Sequence, residues 1–388
     1  MSTAKSETLG GAVMLGAAVA ALIWANSPAA DSYHSLFART IGFGAGAFEL
    51  RKSLELWISD ALMAIFFLLV GLEIKREMLV GQLSSRERIA LPAIAALGGM
   101  ALPAVFFLAF NRSDAVGSRG WAVPCATDIA FSLAVLRIVG HRVPDSMRLF
   151  LTAVAVLDDV GAILIIALFY TAELSVPMLA ATLLPIGVLF ALNRAGVTRL
   201  APYLLTGVVL WYCILKSGIH PTIAGVILAC AIPLRTRRGP MLEPLEDTLQ
   251  PWVVFLILPL FALANAGVSL DGVHPTSLLK PVALGIILGL VFGKTFGITL
   301  GAIASGVLRL GAKPPDATWL QMLGVAHIAG IGFTMSLLLA ALAYEPRAPH
   351  LFADAKLGVL VGSLLGAIAG VIVLLIAPTQ KSRSTITA

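Results

Sequence analysis

Long apolar runs alternate along the chain with short clusters of charged and turn-forming residues, and the runs approach the ~20 residues that a helix needs to cross a bilayer. Five are sharply bounded, near Leu9 to Asn26, Leu54 to Ile74, Ile89 to Phe110, Trp121 to Val139 and Met147 to Tyr170. Seven more follow near Val176 to Leu192, Ala201 to Leu215, His220 to Leu234, Pro251 to Ala266, Pro281 to Leu308, Leu320 to Leu342 and Leu357 to Ala377. The pattern predicts an all-α polytopic membrane protein, one domain over residues 1–388 with spans from 9 to 377, and about twelve transmembrane helices. The one long hydrophilic connection, residues 27–53, reads as an external loop. Its tail, Phe43 to Leu50, mixes glycine with Phe48 and Leu50 and suits a short hairpin or an irregular loop equally.

Composition narrows the class. Hydrophobic residues make up 59% and charged residues 12% of the chain, and mean hydropathy is +0.94. Soluble domains carry ~25% charge, so a water-facing surface cannot be assembled here and a soluble enzyme is excluded. Cys125, Cys213 and Cys230 all lie in apolar stretches and read as small buried hydrophobes, with no disulfide framework. The apolar run Gly10 to Trp24 is expected to stay as the first span, since only Lys5 precedes it and many spans follow.

The net charge of +6 is explained by orientation. An even number of spans puts both termini on one side, and that side receives roughly twice the Lys and Arg of the other, including Lys75, Arg76, Arg86, Arg88, Arg137, Arg142, Lys381 and Arg383. Both termini are expected to be cytoplasmic. The basic clusters face anionic lipid, and no nucleic-acid partner is implied.

A charge at bilayer depth costs ~2.5–3.5 kcal/mol on insertion scales and marks a functional site by default. Few are present: Asp60 in the second run, Asp128 in the fourth, Asp158 and Asp159 in the fifth, and Lys294 in the tenth, joined by His220 and His327. Neighbouring helical residues diverge by about 100°, so Asp158 and Asp159 cannot face one partner equally. One carboxylate is expected to line a hydrated cavity while the other turns to a cation on another helix, and Lys294 is the only deep basic residue. A purely structural ion pair is the alternative. Three interior carboxylates against one lysine suit a cation site. Glu73 and Glu77, beside Lys75 and Arg76, fit either a solvated helix end or a functional cluster.

Two spans carry helix-weakening residues at mid-depth. The fourth holds Pro124, then Thr127 and Asp128; the eleventh holds Gly330, Gly332 and Thr334. An interior proline removes a backbone hydrogen bond, and freed carbonyls with a threonine hydroxyl are hard oxygen ligands that hard cations favour. Two interrupted spans in corresponding positions of two halves point to a transporter site built from broken helices; kinks that merely let helices pack closely are the alternative. Opposed half-helix ends leave partial charges, which Asp128 and Lys294 are placed to offset. No HExxH, GxSxG or phosphate-loop motif occurs, so no enzyme class is indicated. An intramembrane aspartyl hydrolase using Asp128 with Asp159 is the second reading, and a channel the third.

At these residues the sequence resembles the NhaA family of bacterial sodium/proton antiporters over nearly its whole length. The stretches that carry the resemblance are LELWISDALMAIFFLLVGLEIKRE from Leu54, ATDIAF from Ala126, VLDDVGAI from Val156, LKSGIH from Leu215, LPLFALANAGVSL from Leu258, GKTFGI from Gly293 and GIGFTMS from Gly330. The resemblance implies inverted-topology repeats with two discontinuous, crossing helices. It implies Asp159 as the main cation and proton carboxylate with Asp158 beside it, Thr127 and Asp128 at the crossing, and Lys294 as charge partner. It also implies electrogenic export of Na+ or Li+ against more than one H+, with no cofactor, in a homodimer of the bacterial inner membrane joined through residues 27–53. An alkaline-activated pH response is implied for Glu73, Glu77 and Glu246, with His220 nearer the other side. The segment LEDTLQPW departs from members that carry histidines there. His327 lies just ahead of the GIGFT break; histidine's ordinary pKa near ~6.5 suits a pH switch, and a hydrogen-bonded packing role is the favoured alternative.

Overall fold

A computed structural model describes residues 3–44, 49–81, 84–170, 174–271, 274–345 and 347–378. Phe48, Lys381 and Arg383 lie outside them. In chain order the helices are α1 Thr3–Ala25, α2 Ala30–Ala38, α3 Leu54–Leu79, α4 Arg86–Asn111, α5 Ile129–Ile138, α6 Asp145–Phe169, α7 Val176–Arg194 and α8 Ala201–Ser217. They continue with α9 Thr222–Ala231, α10 Leu242–Asn265, α11 Pro281–Val307, α12 Trp319–Ala329, α13 Phe333–Tyr344 and α14 Pro349–Ile376. Among the described residues, 7 helices are long and apolar enough to cross a membrane, or up to 10 if each bent pair is one span; α8 and α9 are shorter apolar helices. The chain is thus a multi-pass membrane protein, with a helical segment at every predicted run.

The connection 27–53 is more ordered than an irregular loop. It holds α2 and an antiparallel hairpin, β1 Thr40–Phe43 and β2 Leu50–Ser53, paired Thr40 with Ser53 through Phe43 with Leu50. The predicted ninth run also needs correction at its start: α10 begins at Leu242, not Pro251. Its first turns are amphipathic, burying Leu242, Leu245 and Glu246. A π-type turn, Val253–Ile257, follows Pro251, where the missing proline N–H would leave an α-helical ladder one donor short. The fourth run starts at Gly117, and its first part, Gly117–Cys125, is a 3₁₀ segment containing Pro124.

The chain divides into two compact units, one of residues 1–9, 82–161 and 274–388, the other of residues 10–81 and 162–273. The first unit contains the same order twice: long helix, broken span, long helix. In the first copy α4 leads to the break between Cys125 and Ile129, bent by 47°; in the second α11 leads to the break between Ala329 and Phe333, bent by 45°. Helices α4 and α11 approach until backbone meets backbone, since a Cβ on Gly297 would strike the Gly98 carbonyl. That contact holds α11 against α4 just after Lys294.

In the second unit α3 packs on the short helix α9. A Cβ on Gly225 would overlap the Ala64 carbonyl, so this glycine is what allows the approach. Helix α9 has only ten residues, about 15 Å, and the last carbonyls at its C-terminal end need donors from outside the helix. Lys75 Nζ donates to Cys230 O at 2.7 Å and Ile232 O at 2.5 Å, and the Asn193 amide donates to Ala231 O at 2.6 Å.

Candidate functional site

The two broken spans of the first unit meet at their breaks. Residues 126–128 and 330–332 leave the helix, and the freed backbone of one break bonds to the other: Asp128 N–H donates to Ile331 O at 2.7 Å. The Ser132 hydroxyl donates to Ile328 O at 3.0 Å and the Ser336 hydroxyl to Val123 O at 2.7 Å. Pro124 precedes the first break, Gly330 ends α12, and Gly332 opens α13.

Asp128 serves two helix N-termini with one carboxylate. Its Oδ1 accepts from Phe131 N–H of α5 at 3.0 Å, and its Oδ2 accepts from Thr334 N–H at 3.1 Å and the Thr334 hydroxyl at 2.5 Å in α13. An anion at a helix N-terminus is favoured by the orphan N–H groups and the helix dipole. The opposite ends receive donors. Lys294 Nζ donates to Cys125 O, which ends the 3₁₀ segment, and the Thr127 hydroxyl reaches Ala329 O, which ends α12, at 2.8 Å.

Lys294 also pairs with Asp158, Nζ to Oδ2 at 2.7 Å, with both side chains fully shielded from solvent. Thr127 stands between these systems. Its hydroxyl has one proton to give and faces two acceptors, Ala329 O at 2.8 Å and Asp158 Oδ2 at 2.7 Å. Asp158 Oδ1 is buried with no hydrogen-bond partner among the described residues. Asp159 follows on α6, 2% exposed. Thr127, Asp158 and Lys294 therefore form one hydrogen-bonded group, with Asp128 and Asp159 each adjacent in the chain to one member.

His327 lies in the last turn of α12, half-buried, with Nδ1 2.9 Å from the Thr295 hydroxyl. The other singled-out residues belong to the second unit. Asp60, in a π-type turn of α3, pairs with Lys52 of β2, and His220 Nε2 approaches its Oδ1 at 3.5 Å while Nδ1 meets the Thr222 hydroxyl at 2.7 Å. Glu246 accepts from Arg76 Nε at 3.0 Å, and Arg76 also reaches Glu77 at 3.5 Å. Glu73 sits half-buried one turn before Glu77 on α3.

Sequence reasoning overlooks Lys52 as the partner of Asp60, because Lys52 sits in a polar connection where a lysine is unremarkable. It also leaves Thr334 without a role of its own and passes over Thr295. Threonine in an apolar helix carries no sequence signal, because its hydroxyl can always bond back to its own helix.

A membrane-embedded bundle of helices with a buried, ion-paired carboxylate group at two facing helix breaks is the class that fold and site define. Residues 1–374 match the Na+/H+ antiporter 1 family. The chain is 54% identical to the Na(+)/H(+) antiporter NhaA 2 of Pseudomonas syringae pv. syringae (strain B728a) over 378 residues, covering 95% of this chain and 93% of the relative. It is 51% identical to the Na(+)/H(+) antiporter NhaA of Rhodospirillum rubrum over 386 residues, 96% of each, and 48% identical to the Na(+)/H(+) antiporter NhaA 1 of Klebsiella pneumoniae subsp. pneumoniae over 372 residues, 95% and 94%. The protein belongs to the NhaA family of Na+/H+ antiporters.

Proposed function

We propose that the protein exchanges sodium for protons across the bacterial inner membrane by alternating access, with both termini cytoplasmic and about twelve spans, counting each broken pair as one span and α8 and α9 as short spans. The repeated order of helix, broken span, helix in the first unit supports two copies of inverted topology. The carboxylate group at the breaks carries the reading. Asp128 is occupied at both oxygens by helix ends, so it is not available to share a catalytic water with a second aspartate, and the hydrolase reading loses its pair. Asp158 is tied to Lys294 and Thr127. By the family resemblance, Asp159 is the carboxylate that binds Na+ or Li+ and H+ in turn, with Asp158 and Thr127 supplying further oxygens.

Protons and sodium contend for one site in this scheme. Protonation expels sodium, deprotonation admits it, and the site opens to one side at a time. More than one proton enters for each sodium exported, so exchange is electrogenic, and each net charge moved is worth ~2.3 kcal/mol per 100 mV. Glu73, Glu77, Glu246 and His220 tune the pH at which exchange begins, with activation toward alkaline pH. The hairpin β1–β2 and α2 join two copies as a homodimer. Everted membrane vesicles from an antiporter-deficient host test the reading. Sodium and lithium release protons from them increasingly toward alkaline pH and potassium does not; absence of any response in well-expressed protein contradicts it.

A further inference from the structure

Lys294 begins the second half of α11, directly after a π-type turn, Gly289–Gly293. A π turn is wider than an α turn and carries one extra residue, which changes the direction in which every later side chain leaves the helix. Isolated π turns are strained relative to α-helix, so the direction of Lys294 toward Asp158 and Cys125 O needs something that holds the turn. Glycine contacts fix its outer wall: a Cβ on Gly289 would press on the Pro124 ring, and one on Gly293 on the Pro103 backbone.

A polar chain fixes it from within. The Thr295 hydroxyl lies 2.7 Å from Val291 O, inside the π turn, and 2.9 Å from His327 Nδ1 on α12. Val291 O can only accept and the hydroxyl has a single proton. Both contacts are hydrogen bonds only if Thr295 donates to Val291 O and His327 Nδ1–H donates to Thr295. That sets the imidazole tautomer, with the neutral ring's proton on Nδ1. Thr295 is 1% exposed, so a vacated partner there has little water to replace it.

We infer that His327 is a positioning residue: through Thr295 and Val291 O it pins the π turn of α11 from which Lys294 reaches Asp158. The contact of its ring is with Thr295, and it acts on Lys294 through the turn. Its effect is to keep the ion pair in place before a cation arrives, so that the ordering cost is not charged against ion binding. The inference rests on the proposed exchange at Asp158 and Asp159. It assigns His327 a structural duty that a pH switch would not require.

The test uses the full-length protein in everted vesicles, measuring apparent KM for sodium and maximal rate for wild type, His327→Leu, His327→Asn, Thr295→Val, Thr295→Ser and the double variant His327→Leu/Thr295→Val. The asparagine amide sits close to the position of Nδ1 and keeps its proton. His327→Leu and Thr295→Val each raise apparent KM about fivefold, as for one lost hydrogen bond; the double variant is no worse than either single, and His327→Asn and Thr295→Ser stay within about twofold of wild type. A wild-type KM in His327→Leu, equal impairment of His327→Asn, or losses that multiply in the double variant overturn the inference. Should His327→Leu fail to accumulate, the comparison of Thr295→Val with Thr295→Ser decides alone, since loss in both or in neither contradicts it. A wild-type protein without sodium-driven proton release would instead sink the proposed function, a separate outcome visible in the first arm.

Discussion

Lys294 and Asp158 are joined at 2.7 Å in a site where neither side chain meets solvent. Breaking such a pair from one side strands a buried charge at a cost of about 3–5 kcal/mol, whereas replacing both partners by apolar groups costs far less. Lys294→Met and Asp158→Leu are each expected to lower the stability of purified protein in detergent by about 3 kcal/mol, and the double variant to recover most of that. Thermal melting of the three proteins checks this; additive losses in the double variant would show that the two residues do not act as a pair.

Asp128 caps α5 and α13 together, with N–H donors from Phe131 and Thr334 on its two oxygens. Loss of one N-cap costs about 1 kcal/mol, so Asp128→Ala is expected to cost about 2–3 kcal/mol, while Asp128→Asn retains acceptor geometry at one oxygen and loses about half as much. Melting curves of the two variants compare them directly. Equal stability of Asp128→Ala and wild type would mean that the helix ends are satisfied elsewhere.

The close approach of α3 and α9 makes Gly225 sensitive. Gly225→Ala drives a methyl group into the Ala64 carbonyl, backbone that cannot turn aside, and is expected to cost about 1–3 kcal/mol as overpacking does. Gly187→Ala is the control, since no atom lies within 4 Å of its added Cβ, and it is expected to melt with wild type.

If one carboxylate binds sodium and protons in turn, apparent KM for sodium depends on pH in a defined way. Where the carboxylate is mostly protonated, each pH unit downward raises apparent KM about tenfold per competing proton, because proton binding subtracts from the sites open to sodium. The sign follows: sodium becomes a better substrate as pH rises, up to the pH where the site is already deprotonated, and KM is flat beyond it. KM measured across the pH range with saturating rates held apart from affinities checks this. A KM independent of pH would separate the proton site from the sodium site.

Much of the architecture is legible in the sequence for a simple reason. In hydrocarbon every backbone group must be satisfied internally, so an apolar run can only be a helix, and all the predicted runs contain one. The interior charges stand out because charge at depth is expensive, which makes Asp158, Asp159 and Lys294 visible without a structure. What escapes is whatever depends on which helix lies opposite. Lys52, at the end of β2, meets Asp60 of the helix that follows it, Thr334 meets Asp128 across 206 residues of chain, and neither pairing leaves a trace in local pattern. The π turns at Val253–Ile257 and Gly289–Gly293 are invisible for another reason: their residues are as apolar as their surroundings, and a one-residue shift in the ladder leaves the hydrophobic pattern of a helix that is apolar on every side unchanged. Leu242 as the start of α10 is hidden by LEDTLQPW, whose polar residues resemble a loop until Leu242, Leu245 and Glu246 are seen on one buried face.

The most direct test of the account places purified wild-type protein and Asp159→Asn in liposomes, imposes a sodium gradient with the membrane potential clamped, and follows internal pH. The account predicts sodium-driven proton movement in wild type and none in Asp159→Asn, with the variant folded and melting near wild type. Proton movement retained in Asp159→Asn would contradict it, because the ion would then be exchanging at some group other than this carboxylate.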